Sequence, residues 1–193
     1  EILEYLYAPL VDPYSGPAYS TVLQERIEKQ HNRAIDIVVC VHNALDDVRQ
    51  CLDSIVQNRS ADNQKLIIVD DGSEAPTETY LKDFSQSLPW VSLIRNEHAS
   101  GYTRAANAGL KASSGDFVLL LNSDTIVTSN WAEKMADAVF STPGAGVVGP
   151  LSSAASHQSI PDHLSTQTQT AINPLPPGLN AEDMNRYCEQ WSH

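Results

Sequence analysis

Ile35-Asp36-Ile37-Val38-Val39-Cys40-Val41 is apolar at every position but one and rich in β-branched side chains. Short continuous runs of this kind fit strands buried on both faces, as in a parallel sheet covered by helices. Similar runs follow at Leu66-Ile67-Ile68-Val69, Val91-Ser92-Leu93-Ile94, Phe117-Val118-Leu119-Leu120-Leu121 and Gly146-Val147-Val148. Between them, apolar residues recur at helical spacing. Leu45, Val48, Leu52, Ile55 and Val56 mark a helix over 44–58; Tyr80, Leu81, Phe84 and Leu88 mark another, and Trp131, Met135, Val139 and Phe140 a further one. Ala105, Ala106, Ala108, Leu110 and Ala112 make a small-residue helix able to lie close to a sheet. Strands starting near 35, 66, 91, 117 and 146 recur at the length of a βαβ step. The pattern predicts an open, mostly parallel, Rossmann-like α/β sheet with helices on both faces, over residues 34–150.

The flanks read differently. Residues 1–33 form a lead-in segment with turn-rich Pro9–Pro17 and a predicted helix from Tyr19 to Gln30. From Ser141 to Ala181 there is no Lys or Arg, and six of the chain's 11 prolines fall there. Proline blocks helix interiors and removes a backbone donor, so 151–193 reads as a Pro/Ser/Thr-rich loop with a short terminal helix. The 193 residues carry 24 acidic against 12 basic side chains, a net charge of −12. That balance excludes a protein built to grip nucleic acid, which needs a basic face. No apolar run reaches the length of a membrane span, and the N-terminus lacks the basic region of a secretory signal. Three widely spaced cysteines show no zinc-like pairing, so Cys40 and Cys51 are expected in the core as reduced thiols of a cytoplasmic protein.

Open parallel sheets bind ligands beyond the carboxyl ends of their strands, and here each predicted strand ends in polar chemistry. The first ends at His42-Asn43, the second at Asp70-Asp71-Gly72-Ser73, the third at Arg95-Asn96 and the fourth at Asn122-Ser123-Asp124. Asp70-Asp71 reads either as a turn and helix cap or as a pair of acceptors for a nucleobase N–H or a ribose hydroxyl. Asn122-Ser123-Asp124 reads as a turn or N-cap, or as a hard-cation site in which Asp124 takes Mg²⁺ or Mn²⁺ through oxygen. Arg104 and Asn107 share one helix face, as a plain surface pair or as a phosphate or base contact. His42 is expected to be packed and neutral.

In this order, four motifs resemble the inverting glycosyltransferases of family 2, with the GT-A fold. They are Val38-Val39-Cys40-Val41-His42-Asn43, Ile67-Ile68-Val69-Asp70-Asp71-Gly72-Ser73, the segment 101–109 with Arg104, Ala106 and Asn107, and 115–124 ending Asn122-Ser123-Asp124. Residues 148–156 are also similar to a subgroup acting on bacterial surface polysaccharides. The resemblance implies transfer of a sugar, with inversion, from a nucleotide-diphospho-sugar (UDP-, dTDP- or GDP-linked) to a glycan or lipid-linked acceptor. It places Val41, Asn43, Asp70, Asp71, Arg104, Asn107, Asn122 and Ser123 at the nucleotide and Asp124 at Mg²⁺ or Mn²⁺. It implies a cytoplasmic protein, with peripheral contact at the inner membrane face in the parent. Two departures stand out: Cys40-Val41-His42-Asn43 replaces the usual Pro-x-Tyr-Asn, and Asn122 replaces the first Asp of D-x-D. The family's acidic general base has only Glu182 and Asp183 as candidates, in a surface-helix context, so the chain is expected to be a donor-binding fragment lacking the acceptor half. The alternatives are a sugar-phosphate nucleotidylyltransferase, which would want a Gly-rich basic loop where Asn43-Ala44-Leu45-Asp46-Asp47 stands, and a non-catalytic nucleotide- or carbohydrate-binding module.

Overall fold

The structure, a computed structural model, describes residues 33–150, 152–153, 164–166, 169–170 and 172–190. The expected helix from Tyr19 to Gln30 lies outside the described residues. A compact unit begins at Ala34.

Strands β1 (Ile35–Val41), β2 (Gln64–Asp71), β3 (Val91–Asn96) and β4 (Phe117–Asn122) form one sheet in the order β3-β2-β1-β4. Every neighbouring pair is parallel. Helices α1 (Leu45–Gln57), α2 (Ala75–Ser87) and α3 (Tyr102–Ala112) provide the crossovers, and α4 (Trp131–Ser141) follows β4.

Alternation along the strands decides which helix covers which face. Ile35, Ile37, Val39 and Val41 of β1, with Leu66 and Ile68 of β2, pack against Val48, Leu52 and Ile55 of α1, Leu81 of α2 and Ala132 of α4. The opposite face carries Val38, Ile67 and Val69, covered by Ala105 of α3. Covering both faces is why β1 and β2 read as unbroken apolar runs. On β4 burial alternates instead, leaving Val118 and Leu120 exposed, as an edge strand allows.

Small residues let α3 sit low on the sheet. A Cβ at Gly109 would lie 2.3 Å from Val38 Cγ1 and 3.2 Å from Val69 Cγ2. The loop leaving α3 is tied down by buried Asp36, whose Oδ2 accepts from Ser113 Oγ, Ser114 N–H and Gly115 N–H at 2.7–2.9 Å.

Two expectations change. No strand forms at 146–148: residues 145–150 have no regular structure and Val147 is 91% exposed. A three-residue apolar run between Pro143-Gly144 and Gly149-Pro150 offers too short a ladder to offset ordering, and Gly144 turns the chain at φ 80°. Within the expected loop, β5 (Leu164–Thr166) and β6 (Gln169–Thr170) form a short antiparallel pair, consistent with the β preference of threonine. Helix α5 (Ala181–Glu189) forms with no buried residue, as a surface helix.

Candidate functional site

The chain steps from β1 outward through β2 and β3, then crosses by α3 to β4 on the other side of β1. The strand order therefore reverses between β1 and β4, the point at which open α/β sheets gather ligands. An open cleft of about 210 Å³ lies at that end. The β1 terminus supplies Cys40, Val41 and His42, and the start of α3 supplies Gly101, Tyr102 and Ala105, with Ala99 and Asp71 between. Whole-ligand pockets span about 300–1,000 Å³, so this cleft is smaller than a pocket that would enclose a whole ligand.

Asp71 builds the wall of the cleft. Its carboxylate accepts from Asn96 Nδ2 at 2.7 Å, Ser100 N–H at 2.9 and 3.0 Å, Ser100 Oγ at 2.8 Å and Gly101 N–H at 2.7 Å. Burial alone would raise its pKa, but these donors outweigh burial and hold it at about 2. The charge also sits at the N-terminus of α3, where the helix dipole favours it. Gly72, at φ 73°, makes this approach feasible, because a Cβ there would lie 2.5 Å from Ala99 N.

Asp70 points to the other face and is fully buried. It accepts from Ser73 N–H at 2.9 Å and pairs with Arg95, which also donates to Glu78 at 2.9 Å and to the Ser73 carbonyl at 3.1 Å. Strand alternation thus separates the two aspartates: Asp71 faces the cleft, and Asp70 braces the turn beneath it.

The β1–α1 loop is locked to the β2–α2 loop. Asn43 N–H donates to Ser73 Oγ at 2.9 Å, and Asn43 Oδ1 accepts from Glu74 N–H at 2.8 Å. Asn43 and Ala44 are both left-handed, at φ 59° and 52°, a costly backbone for non-glycine residues and one found at functional sites. His42 is exposed rather than packed away, because the left-handed turn carries it to the rim. Its Nδ1 stands 2.9 Å from the Asp71 carbonyl, which can only accept, so Nδ1 donates there, and Nε2 lies 3.4 Å from the Asn43 amide nitrogen, which can only donate. Cys51 is core, as expected, whereas Cys40 is half-buried and faces the cleft, since it lies on the α3 side of β1.

Asn122 pairs in register with Cys40, so it lies on the same face of the sheet one strand over, outside the cleft's own lining. The turn 122–125 closes through backbone, Thr125 N–H donating to Asn122 carbonyl at 3.2 Å. Cys51 Sγ donates to that carbonyl at 3.5 Å, and Val127 N–H donates to Ser54 Oγ at 3.1 Å, pinning the turn to α1. Because backbone closes it, the turn does not consume Asp124: its exposed carboxylate makes no hydrogen bond or ion pair among the described residues. No cluster of three His, Cys, Asp or Glu side chains occurs among the described residues. Mg²⁺ and Mn²⁺ favour oxygen, and Mg²⁺ often takes only one or two carboxylates. The oxygens of Asn122, Ser123 and Asp124 suit such an ion.

Arg104 and Asn107 are exposed on α3, one turn apart, beside the cleft-lining Ala105. The Tyr102 and Thr103 N–H groups belong to that helix's unpaired first turn. Val41 is buried on the opposite face, so it meets the cleft through its backbone. Glu182 accepts from Ser129 N–H at 3.0 Å and Ser129 Oγ at 2.6 Å, which hold its carboxyl below the ordinary range. Asp183 completes a capping box with Asn180. Sequence reasoning missed Tyr102, Ala99 and Ala105 as cleft residues. Their position just before and within the first turn of a helix entering a strand-end crevice was the available signal.

The class these features define is a doubly wound α/β protein with a mostly apolar cleft, flanked by Asp71 and His42, at the switch point of its parallel sheet. Residues 36–175 match the model of glycosyl transferase family 2, and the chain belongs to that family. It is 28% identical over 101 residues to an uncharacterized glycosyltransferase of Haemophilus influenzae, covering 52% of this chain and 31% of that protein. It is 29% identical over 138 residues to the pre-mycofactocin glycosyltransferase of Mycobacterium tuberculosis, covering 72% of this chain and 25% of that one. The chain thus spans about a third or less of these relatives' length. Among solved structures it resembles the mannosyltransferase PcManGT of Pyrobaculum calidifontis, in complex with GDP-Man and Mn²⁺, at TM-score 0.51 and 17% identity, covering 64% of this chain and 40% of that one. At that identity the likeness is one of fold. No helix among the described residues is long and apolar enough to cross a membrane.

Proposed function

We propose that this chain carries the donor site of an inverting glycosyltransferase, which moves a sugar from a nucleoside-diphospho-sugar to a glycan or lipid-linked hydroxyl in surface polysaccharide synthesis. The observation that carries this reading is the cleft at the switch point, beside a turn whose Asp124 carboxylate is uncommitted. One ring of the base of UDP, dTDP or GDP enters the cleft over Ala105, beside the exposed Tyr102. His42 Nε2 takes an N–H of the base in exchange for its long 3.4 Å contact with Asn43 Nδ2. Asp71 fixes the loop 97–101 that walls the base in, and Asp70 and Asn43 hold the turns beneath, so these three act by positioning.

The diphosphate runs toward Arg104, an exposed cation on α3. Asn107, Asn122 and Ser123 stand at the ribose and phosphate edge. Asp124, with the Asn122 and Ser123 oxygens, would hold Mg²⁺ or Mn²⁺, which would supply positive charge to offset that of a departing diphosphate. We assign the general base to neither Glu182, whose carboxyl the Ser129 donors hold low, nor Asp183, whose carboxylate is engaged in the capping box of α5.

Amide NMR of the ¹⁵N-labelled chain, titrated with UDP, dTDP and GDP in Mg²⁺, tests the placement. One of them should shift Gly101, Tyr102 and Ala105 saturably. Saturable shifts confined to other surfaces, or none with any of the three, overturn it.

A further inference from the structure

His42, at the rim of the cleft, belongs to a row of hydrogen bonds whose direction is fixed at both ends. The Glu74 backbone N–H can only donate, and it donates to Asn43 Oδ1 at 2.8 Å. That orients the Asn43 amide with Nδ2 toward His42 Nε2, 3.4 Å away. Turning the amide over would set its NH₂ group against the Glu74 N–H. At the other end, His42 Nδ1 stands 2.9 Å from the Asp71 carbonyl, which can only accept. Both ends therefore demand the same neutral imidazole, with the proton on Nδ1 and a lone pair on Nε2. His42 is exposed and lines the cleft, and the Asn43 contact is long, so a ligand donor can take that lone pair.

No other side chain lining the cleft discriminates as this one does. Ala99 and Ala105 have no polar side-chain atom, and the Asp71 carboxylate is filled by donors from Asn96, Ser100 and Gly101. The Cys40 thiol is a weak partner, and the Tyr102 hydroxyl donates or accepts alike. We propose that His42 selects the base by its edge, taking a ring N–H, as uracil, thymine and guanine present, over a ring-nitrogen lone pair, as cytosine and adenine present; this rests on the donor-site reading. In the same pose, cytosine or adenine sets its lone pair against that of Nε2, and its amino group reaches Nε2 only if the ring shifts.

The test is calorimetry on the 193-residue chain in Mg²⁺ with three matched pairs: UDP against CDP, dTDP against dCDP, and GDP against ADP. In at least one pair the first member should bind about tenfold more tightly at about pH 8. His42→Gln can turn either an oxygen or an N–H toward the base, so it should bring that pair to within about twofold. The replaced ring is exposed, so the variant should melt as the parent does.

Acid gives a readout that a merely structural histidine would not move. Protonated on both nitrogens, His42 donates from Nε2, which suits cytosine or adenine and opposes uracil or guanine. Between about pH 8 and about 5.5 the preference should shrink or reverse in the parent and stay constant in His42→Gln. The ratio within a pair cancels the titration of phosphates that both members carry. Of the lining groups, Asp71, which burial would raise and its donors hold at about 2, stays ionised, and Cys40, raised chiefly by burial, stays a thiol. Tyr102 and Arg104 of α3, Asp46 and Asp47 at the start of α1, Glu74, and Glu97 and His98 of the loop 97–101 are the other titratable groups at this end. His42→Gln leaves all of them in place and so separates their titration from that of His42.

Equal binding within every pair, tighter binding of CDP, dCDP or ADP at about pH 8, or a preference unchanged by acid or by His42→Gln overturns the proposal and leaves the donor site standing. No saturable binding of any of these nucleotides overturns both.

Discussion

Gly109→Ala sets two physical effects of opposite sign against each other. Alanine in a helix interior is favoured over glycine by about 1 kcal/mol, so propensity alone makes the variant more stable. The structure says otherwise. The new Cβ would stand 2.3 Å from Val38 Cγ1, and reaching ordinary contact at 3.4 Å requires a shift of 1.1 Å (3.4 − 2.3). Val38 is fully buried in a central strand, and as a β-branched residue it has little rotamer freedom with which to retreat. The helix must therefore lift, at an overpacking cost of about 1–3 kcal/mol. Net of propensity, Gly109→Ala should destabilise by about 1 kcal/mol. Lifting α3 also displaces Gly101, Tyr102 and Ala105, so ligand binding in the cleft should weaken together with stability. Val38→Ala removes the clashing methyl and costs about 2 kcal/mol by itself. In the double variant the clash is gone, so the two changes should couple favourably by about 1–2 kcal/mol. Urea denaturation of the four proteins, at constant m, measures the cycle. A Gly109→Ala variant more stable than its parent, with additive double-variant behaviour, refutes the claim that α3 is held by this contact.

Three further outcomes follow from the same geometry. Asp71 is lowered from 3.8 to about 2 on folding, so it contributes about 2 kcal/mol that is fully present above its unfolded pKa and lost as pH falls from about 4 through 2; Asp71→Asn should flatten that part of the stability-versus-pH curve in urea titrations. Arg95→Met strands fully buried Asp70 without its cation and should cost about 3 kcal/mol or more, whereas adding Asp70→Asn recovers a large part of it, both read by thermal or urea unfolding. Tyr102→Ala should weaken nucleotide binding about tenfold by removing an aromatic contact, with stability little changed because the ring is largely exposed, read by calorimetry beside a melting curve.

The parallel sheet was legible because β1 and β2 are covered on both faces, which forces continuous apolar runs that no solvent-facing strand would carry. The close α3 packing was legible too, since only small residues permit it. The strand expected at 146–148 failed because an apolar triplet carries no information about whether a neighbouring edge will pair with it. At the site, the positions of the polar residues could be read from strand ends, but their partners could not. Adjacent Asp70 and Asp71 look equivalent in sequence, yet alternation sends one to Arg95 and the other to the Ser100–Gly101 loop. Sequence points to a packed His42 because its rim position depends on the left-handed backbone of Asn43 and Ala44, which the residue types alone do not specify. The place of Asp124 after β4 is legible in sequence, whereas its uncommitted carboxylate depends on the backbone closure of the turn 122–125.

Isothermal calorimetry of the nucleoside diphosphate, with Mn²⁺ and then with excess EDTA, on the parent chain and on Asp124→Ala, tests the donor-site account most directly. Asp124 is exposed and makes no bond among the described residues, so the variant should fold as the parent does. Saturable binding that needs the divalent ion and falls at least tenfold in Asp124→Ala is the result the account predicts. Binding of equal strength in EDTA, or in the variant with Mn²⁺, contradicts it.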